Sequence, residues 1–101
     1  MNDIQKEFET LYKEWQELIK SPEIMIHSNT SYYTDLDPYD SIINMGMIVL
    51  PLIIGKLRMG EFFMNKAVSS ITGLSIKHIT TKKYISEQDI AKAWIEWWDK
   101  E

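Results

Sequence analysis

The chain has 101 residues, no cysteine, 45% hydrophobic and 26% charged residues, and a formal net charge of −4. Without cysteine it has no disulfide framework and no thiolate metal site, and a chain of this length buries enough surface to fold as one domain without either. Net acidity and the lack of a helix-turn-helix pattern weigh against a DNA reader. The polar, acidic start MNDIQKEFETLYKEW lacks the basic lead and apolar core of a signal peptide, so the expected compartment is the cytoplasm.

Periodicity predicts a first helix over Asp3–Lys20. Ile4, Phe8, Leu11, Tyr12, Trp15, Leu18 and Ile19 form one apolar stripe, and Glu7, Glu9, Lys13, Glu14 and Glu17 take the other face. Ser21-Pro22 ends it, because proline disfavours a helical residue before it. Residues 21–37 are polar and turn-rich except for the alternation Ile24-Met25-Ile26-His27, which predicts a short extended segment with no second strand to pair with. Asp37 reads as an N-cap with Pro38 at the first helical position, opening a second helix over Tyr39–Met45 that stops at a left-handed Gly46.

A third helix is expected from Ile48 to Met59, with Pro51 in its first turn, where the missing N–H costs nothing. Gly60 closes it, and a fourth follows over Glu61–Ile71, ended by Thr72-Gly73. Residues 74–85, LSIKHITTKKYI, lack a helical period and read as a loop or extended pass. Ser86, with Asp89 three residues on, caps a last helix over Glu87–Lys100 whose Ile90, Trp94, Trp97 and Trp98 form a second aromatic stripe. Trp97 and Trp98 are adjacent, so at least one is expected at the edge of the core.

The stretch Ile42–Leu57, IINMGMIVLPLIIGKL, decides the architecture. Its fifteen uncharged residues between Asp40 and Lys56 are apolar on every side of a helical wheel, yet fall short of the roughly 20 needed to cross a bilayer. No membrane is therefore expected, and the run reads as the buried centre of the fold, with Leu52 inside it. The prediction is an all-α fold, a single domain over residues 1–101 with five helices and a buried central apolar helix. Gly46–Leu57 and Glu61–Ile71 have the look of one HEAT-like helical pair, and the two aromatic helices are suited to cover it.

Catalytic and cofactor chemistry finds no support. Asp35-Leu-Asp37-Pro-Tyr39-Asp40 begins like a calcium loop, but Asp40 stands where glycine is needed and Gly46 where glutamate is needed. Gly55-Lys56 is followed by Leu57 rather than Ser or Thr, so it is no phosphate loop. His27 and His78 have no metal-ligand spacing, and Ser28, Ser69 and Ser70 sit in no nucleophile turn. The expectation is no catalytic residue, no cofactor and no metal.

Tyr39-x-x-Ile42-x-x-Met45-Gly46, Leu50-Pro51-Leu52-Ile53, Phe63-x-x-x-Ala67-Val68-x-x-Ile71-Thr72-Gly73 and Ala93-Trp94-x-x-Trp97 form a spaced pattern. It resembles an uncharacterised family of small bacterial helical proteins with a Y-x-x-I-x-x-MG, PLIL, AL-x-x-ITG, AW-x-x-W pattern, over residues 32–98. The chain departs from it with Phe63 where that family often has Trp, and in the segment after Gly73. The resemblance implies a shared helical fold and carries over no catalytic or binding residue.

Charge is unevenly spread. Residues 1–54 hold nine acids and three bases, residues 55–83 six bases and one acid, and residues 84–101 five acids and two bases. The expected function is a small cytoplasmic protein-interaction module without catalytic activity, an inhibitor or antitoxin-like binder of a basic protein, acting as monomer or homodimer. Glu7, Glu14 and Glu17, on the outward face of the first helix, are its candidate contacts. Tyr32, Tyr33 and Trp98 are candidate aromatic anchors. Lys77, Lys82 and Lys83 carry the alternative, a nucleic-acid contact through the basic segment 56–83. An enzyme with a site assembled from distant residues is the remaining alternative.

Overall fold

A computed structural model describes residues 3–22, 31–79 and 86–100. The described residues are all-α, with seven α-helices, two 3-10 turns and no strand. None of these helices is long and apolar enough to cross a membrane by itself. The chain divides into two compact units, residues 1–49 and residues 50–101.

The first unit holds α1 (Asp3–Ile19), α2 (Ser31–Thr34), α3 (Asp37–Asn44) and a 3-10 turn over Gly46–Val49. Its core is aromatic. Phe8, Tyr12 and Trp15 recur at four- and three-residue steps, so they share one face of α1, and all three are buried. Phe8 and Tyr12 stack at 6.0 Å, Tyr12 and Trp15 meet at 5.7 Å, and Trp15 tilts onto buried Tyr39 of α3 at 5.6 Å. The Trp15 indole N–H donates to the Tyr33 carbonyl at 2.5 Å, which ties α2, unforeseen in the turn-rich stretch, to α1.

Asp37 is not the N-cap of α3, contrary to the sequence expectation. Leu36 is the extended N-cap residue (φ −122°, ψ 146°), Asp37 is already helical, and no side chain caps the end. The Asp40 N–H reaches the Leu36 carbonyl at 3.0 Å. Pro38 sits comfortably in the first turn at either register, since its missing N–H would have no helical partner there. Asp37 and Asp40 remain in the first turn, where the helix dipole favours carboxylates.

The second unit holds α4 (Leu50–Arg58), a 3-10 turn over Phe62–Met64, α5 (Asn65–Thr72), α6 (Ile76–Ile79) and α7 (Glu87–Lys100). α7 packs on α4, α5 and α6. Its core is Leu50, Ile53, Ile54 and Leu57 of α4, then Met64, Ala67, Val68, Ala91 and Trp94, all buried. Trp94 and Trp97 meet edge to face at 5.5 Å, and Trp97 and Trp98 are both half-buried, as adjacent tryptophans at a core edge should be. Buried Asn65 donates from Nδ2 to the Glu87 carbonyl at 3.0 Å and to Glu87 Oε2 at 2.9 Å, fastening α5 to the start of α7.

The ends of these helices follow the sequence. Gly73 takes a left-handed conformation (φ 74°) and its N–H returns to the Ser69 carbonyl at 2.9 Å. The Ser86 hydroxyl accepts the Asp89 N–H at 3.2 Å, the N-cap expected for α7. Ser86→Ala is expected to lower stability by about 1 kcal/mol in a urea titration, with the native helix content unchanged.

The apolar run is where expectation and structure part. Gly46 is left-handed (φ 79°), as expected, but it opens a 3-10 turn rather than a straight continuation. The expected helix over Ile48–Met59 is therefore two elements, and only Val49 of the turn is buried. Met47 is 59% and Ile48 60% exposed. From there α4 buries one face, Leu50, Ile53, Ile54 and Leu57, and leaves Pro51 exposed and Leu52 half-buried. A single helical wheel drawn across Gly46 cannot see this, because the turn resets the phase. The helix over Glu61–Ile71 is likewise divided, into the Phe62–Met64 turn and α5. Within the stretch expected as a loop, α6 forms over Ile76–Ile79, with the Ser75 N–H donating to His78 Nδ1 at 2.9 Å. The extended segment at Ile24–His27 lies outside the described residues, as do residues 80–85.

Candidate interaction surface

The exposed edge of α1 starts beside its buried aromatic face. Glu7, Glu14 and Glu17 are all exposed. Glu7 lines a depression of about 430 Å³ with Ile4, Ser41, Asn44, Met45 and Ile48. Glu14 and Glu17 line a second, of about 320 Å³, with Leu18 and Pro38. Both depressions flank the α1–α3 pair, one near each end of α1. The structure thus brings Glu14 and Glu17 together and sets Glu7 about two turns away on the same edge.

No base stands one turn from Glu7 or Glu14 along α1, and no Lys or Arg occurs between Lys20 and Lys56. Lys6 and Lys13, also exposed, stand about 100° round the helix from Glu7 and Glu14, with Lys13 one turn from Glu17. α3 carries exposed Asp37 and Asp40. The apolar complement is Leu18, 42% exposed, and Ile48, 60% exposed, which lines the first depression; Met47 is exposed in the same turn. All three depart from the sequence expectation, which places Leu18 in the inward stripe and the two turn residues in the core. The signal for the latter was local: glycine at 46 and proline at 51 bracket a segment too short to continue a helix.

The other candidates are scattered. Tyr33 is half-buried and is engaged through its carbonyl by Trp15, while the side chain of Tyr32 lies outside the described set. Trp98 is half-buried beside Trp97 at 6.5 Å. Lys77 is exposed on α6, whereas Lys82 and Lys83 lie outside the described residues. In the second unit Arg58 is paired with Asp99, at the rim of a depression of about 400 Å³ that also holds Phe62, Lys92 and Ile95. Basic residues there are interleaved with carboxylates of α7, which dilutes any phosphate-binding field.

Among the described residues no group of three or more His, Asp or Glu side chains is placed to hold a metal ion. No family model, curated protein or solved structure matches this chain.

Proposed function

We propose that the protein is a small cytoplasmic interaction module without catalytic activity, which binds a basic protein through the exposed edge of α1, in the manner of an inhibitor or antitoxin. The observation that carries this reading is the edge itself. Exposed Glu7 and Glu14 alternate with Ile4, Leu11 and exposed Leu18 along one edge of α1, exposed Glu17 adjoins Glu14, and exposed Ile48 lines the depression beside Glu7. Apolar anchors among carboxylates give a surface both contact energy and a choice of partner. α4 and α5 are read as a HEAT-like pair that supports the second unit, and the module acts as a monomer or homodimer.

Charge reversal tests the reading. Glu7→Lys, Glu14→Lys and Glu17→Lys, made together at exposed positions, should leave the circular dichroism unchanged and abolish co-purification of a basic protein from the native host. Salt-sensitive retention of RNA or DNA that survives this change, and is lost with Lys77→Glu, Lys82→Glu and Lys83→Glu, would reject it in favour of nucleic acid.

A further inference from the structure

The exposed edge of α1 has a register of its own. Ile4, Glu7, Leu11, Glu14 and Leu18 follow one another at steps of three, four, three and four residues. This is the spacing of the contact seam of a coiled coil, with Ile4, Leu11 and Leu18 at one core position and Glu7 and Glu14 at the other. Burial separates this seam from the one the unit already uses. Phe8, Tyr12 and Trp15 are buried, whereas Ile4 and Leu11 are half-buried and Glu7, Glu14 and Leu18 exposed. α1 therefore carries two adjacent seams, one packed by the aromatic core with α3 and one open. The two depressions lie at the two ends of the open seam.

We infer that the open seam seats a single basic amphipathic helix of about four turns from the partner protein, the length from Ile4 to Leu18 at roughly 1.5 Å per residue. This rests on the proposed reading of the edge as an interaction surface and specifies the element that fills it. The occupant must offer apolar side chains every seven residues to meet Ile4, Leu11 and Leu18, and Lys or Arg between them to meet Glu7 and Glu14. Glu17 and Asp3 flank the seam on the side away from the buried face, each with a lysine one turn away, Lys13 and Lys6, so the demand for a base is set by Glu7 and Glu14. A second copy of the chain does not satisfy it. Parallel self-pairing sets Glu7 and Glu14 against their own copies, and antiparallel pairing sets each carboxylate against an apolar residue.

The test uses synthetic helices and the intact chain in isothermal titration. The matched peptide has leucines seven residues apart and an arginine three residues after each of the first two; its reversed sequence covers the antiparallel orientation. The control has the same composition with the arginines moved to the opposite helical face. One matched orientation should bind at least roughly tenfold more tightly than the control. Binding should fall by a similar factor with Glu7→Lys and Glu14→Lys together, recover when the peptide arginines become glutamate, and fall with Leu18→Ser. Equal binding of matched and control peptides would overturn the register. A host protein whose capture depends on Glu7, Glu14 and Glu17, while neither orientation of the matched helix binds, would overturn the helical occupant and leave the broader reading standing. Loss of both would reject the two together.

Discussion

Ile53→Asp is expected to abolish the cooperative unfolding transition. Ile53 is fully buried, in the centre of the one face that α4 turns inward with Leu50, Ile54 and Leu57. A carboxylate there loses its hydration without gaining a hydrogen-bond partner and also removes the packing of a branched side chain. The combined cost, on the order of 4–5 kcal/mol or more, is comparable with the whole stability of a small domain. Leu52→Asp, one residue away on the half-buried side of the same helix, should retain a cooperative melt at reduced temperature. Thermal melts by circular dichroism separate the two variants. A near-native melt for Ile53→Asp would overturn the assignment of this face to the core.

Trp15→Ala should be the most damaging truncation in the first unit. The indole is fully buried, meets Tyr12 at 5.7 Å and Tyr39 at 5.6 Å, and is the donor that holds the Tyr33 carbonyl. Loss of a buried aromatic leaves a cavity that costs roughly 3–5 kcal/mol, and the hydrogen bond to the Tyr33 carbonyl goes with it. Trp15→Phe isolates the second contribution. It keeps an aromatic ring in place, so its remaining cost includes the lost N–H donor, about 1 kcal/mol, and a modest packing term. Urea titrations of the two variants should differ by at least about 2 kcal/mol; equal values would mean that the ring does not pack as described.

The sequence is most informative where one residue type controls a backbone event. Gly46 and Gly73 mark left-handed helix ends, Ser86 marks the start of α7, and the bounds of that helix follow directly. It is also informative where a stripe is heavy enough to admit one orientation, as with Phe8, Tyr12 and Trp15. It is misleading where local apolarity stands in for burial. Met47 and Ile48 are as apolar as their neighbours, and only the 3-10 turn that Gly46 opens decides that they face outward. The short helices α2 and α6 are four residues each, and the tertiary and capping contacts at them, among them Trp15 to the Tyr33 carbonyl and Ser75 to His78, are announced by no periodicity.

The candidate surface divides in the same way. The outward placement of Glu7, Glu14 and Glu17 is legible from the wheel of α1, because all three lie off the face shared by Phe8, Tyr12 and Trp15. Its apolar half is not. Leu18 sits at the margin of the stripe, and a shift of a few tens of degrees decides whether it completes the core or, at 42% exposure, the surface. Tyr32, Tyr33 and Trp98 are anchor candidates by residue type alone. Of these, Tyr33 and Trp98 are half-buried, and Tyr33 is engaged through its backbone in the packing of α1.

The central claim is that the working surface is the acidic, apolar edge of α1. Amide chemical-shift mapping of the intact chain, titrated with the matched basic helix or with a basic host protein captured by it, tests this most directly. The account predicts that the perturbed amides follow Ile4, Glu7, Leu11, Glu14 and Leu18 and extend to Met45 and Ile48, and that the effect weakens as salt is raised. Perturbations centred instead on Lys77, Arg58 and Trp98, with the α1 edge unmoved, would contradict it.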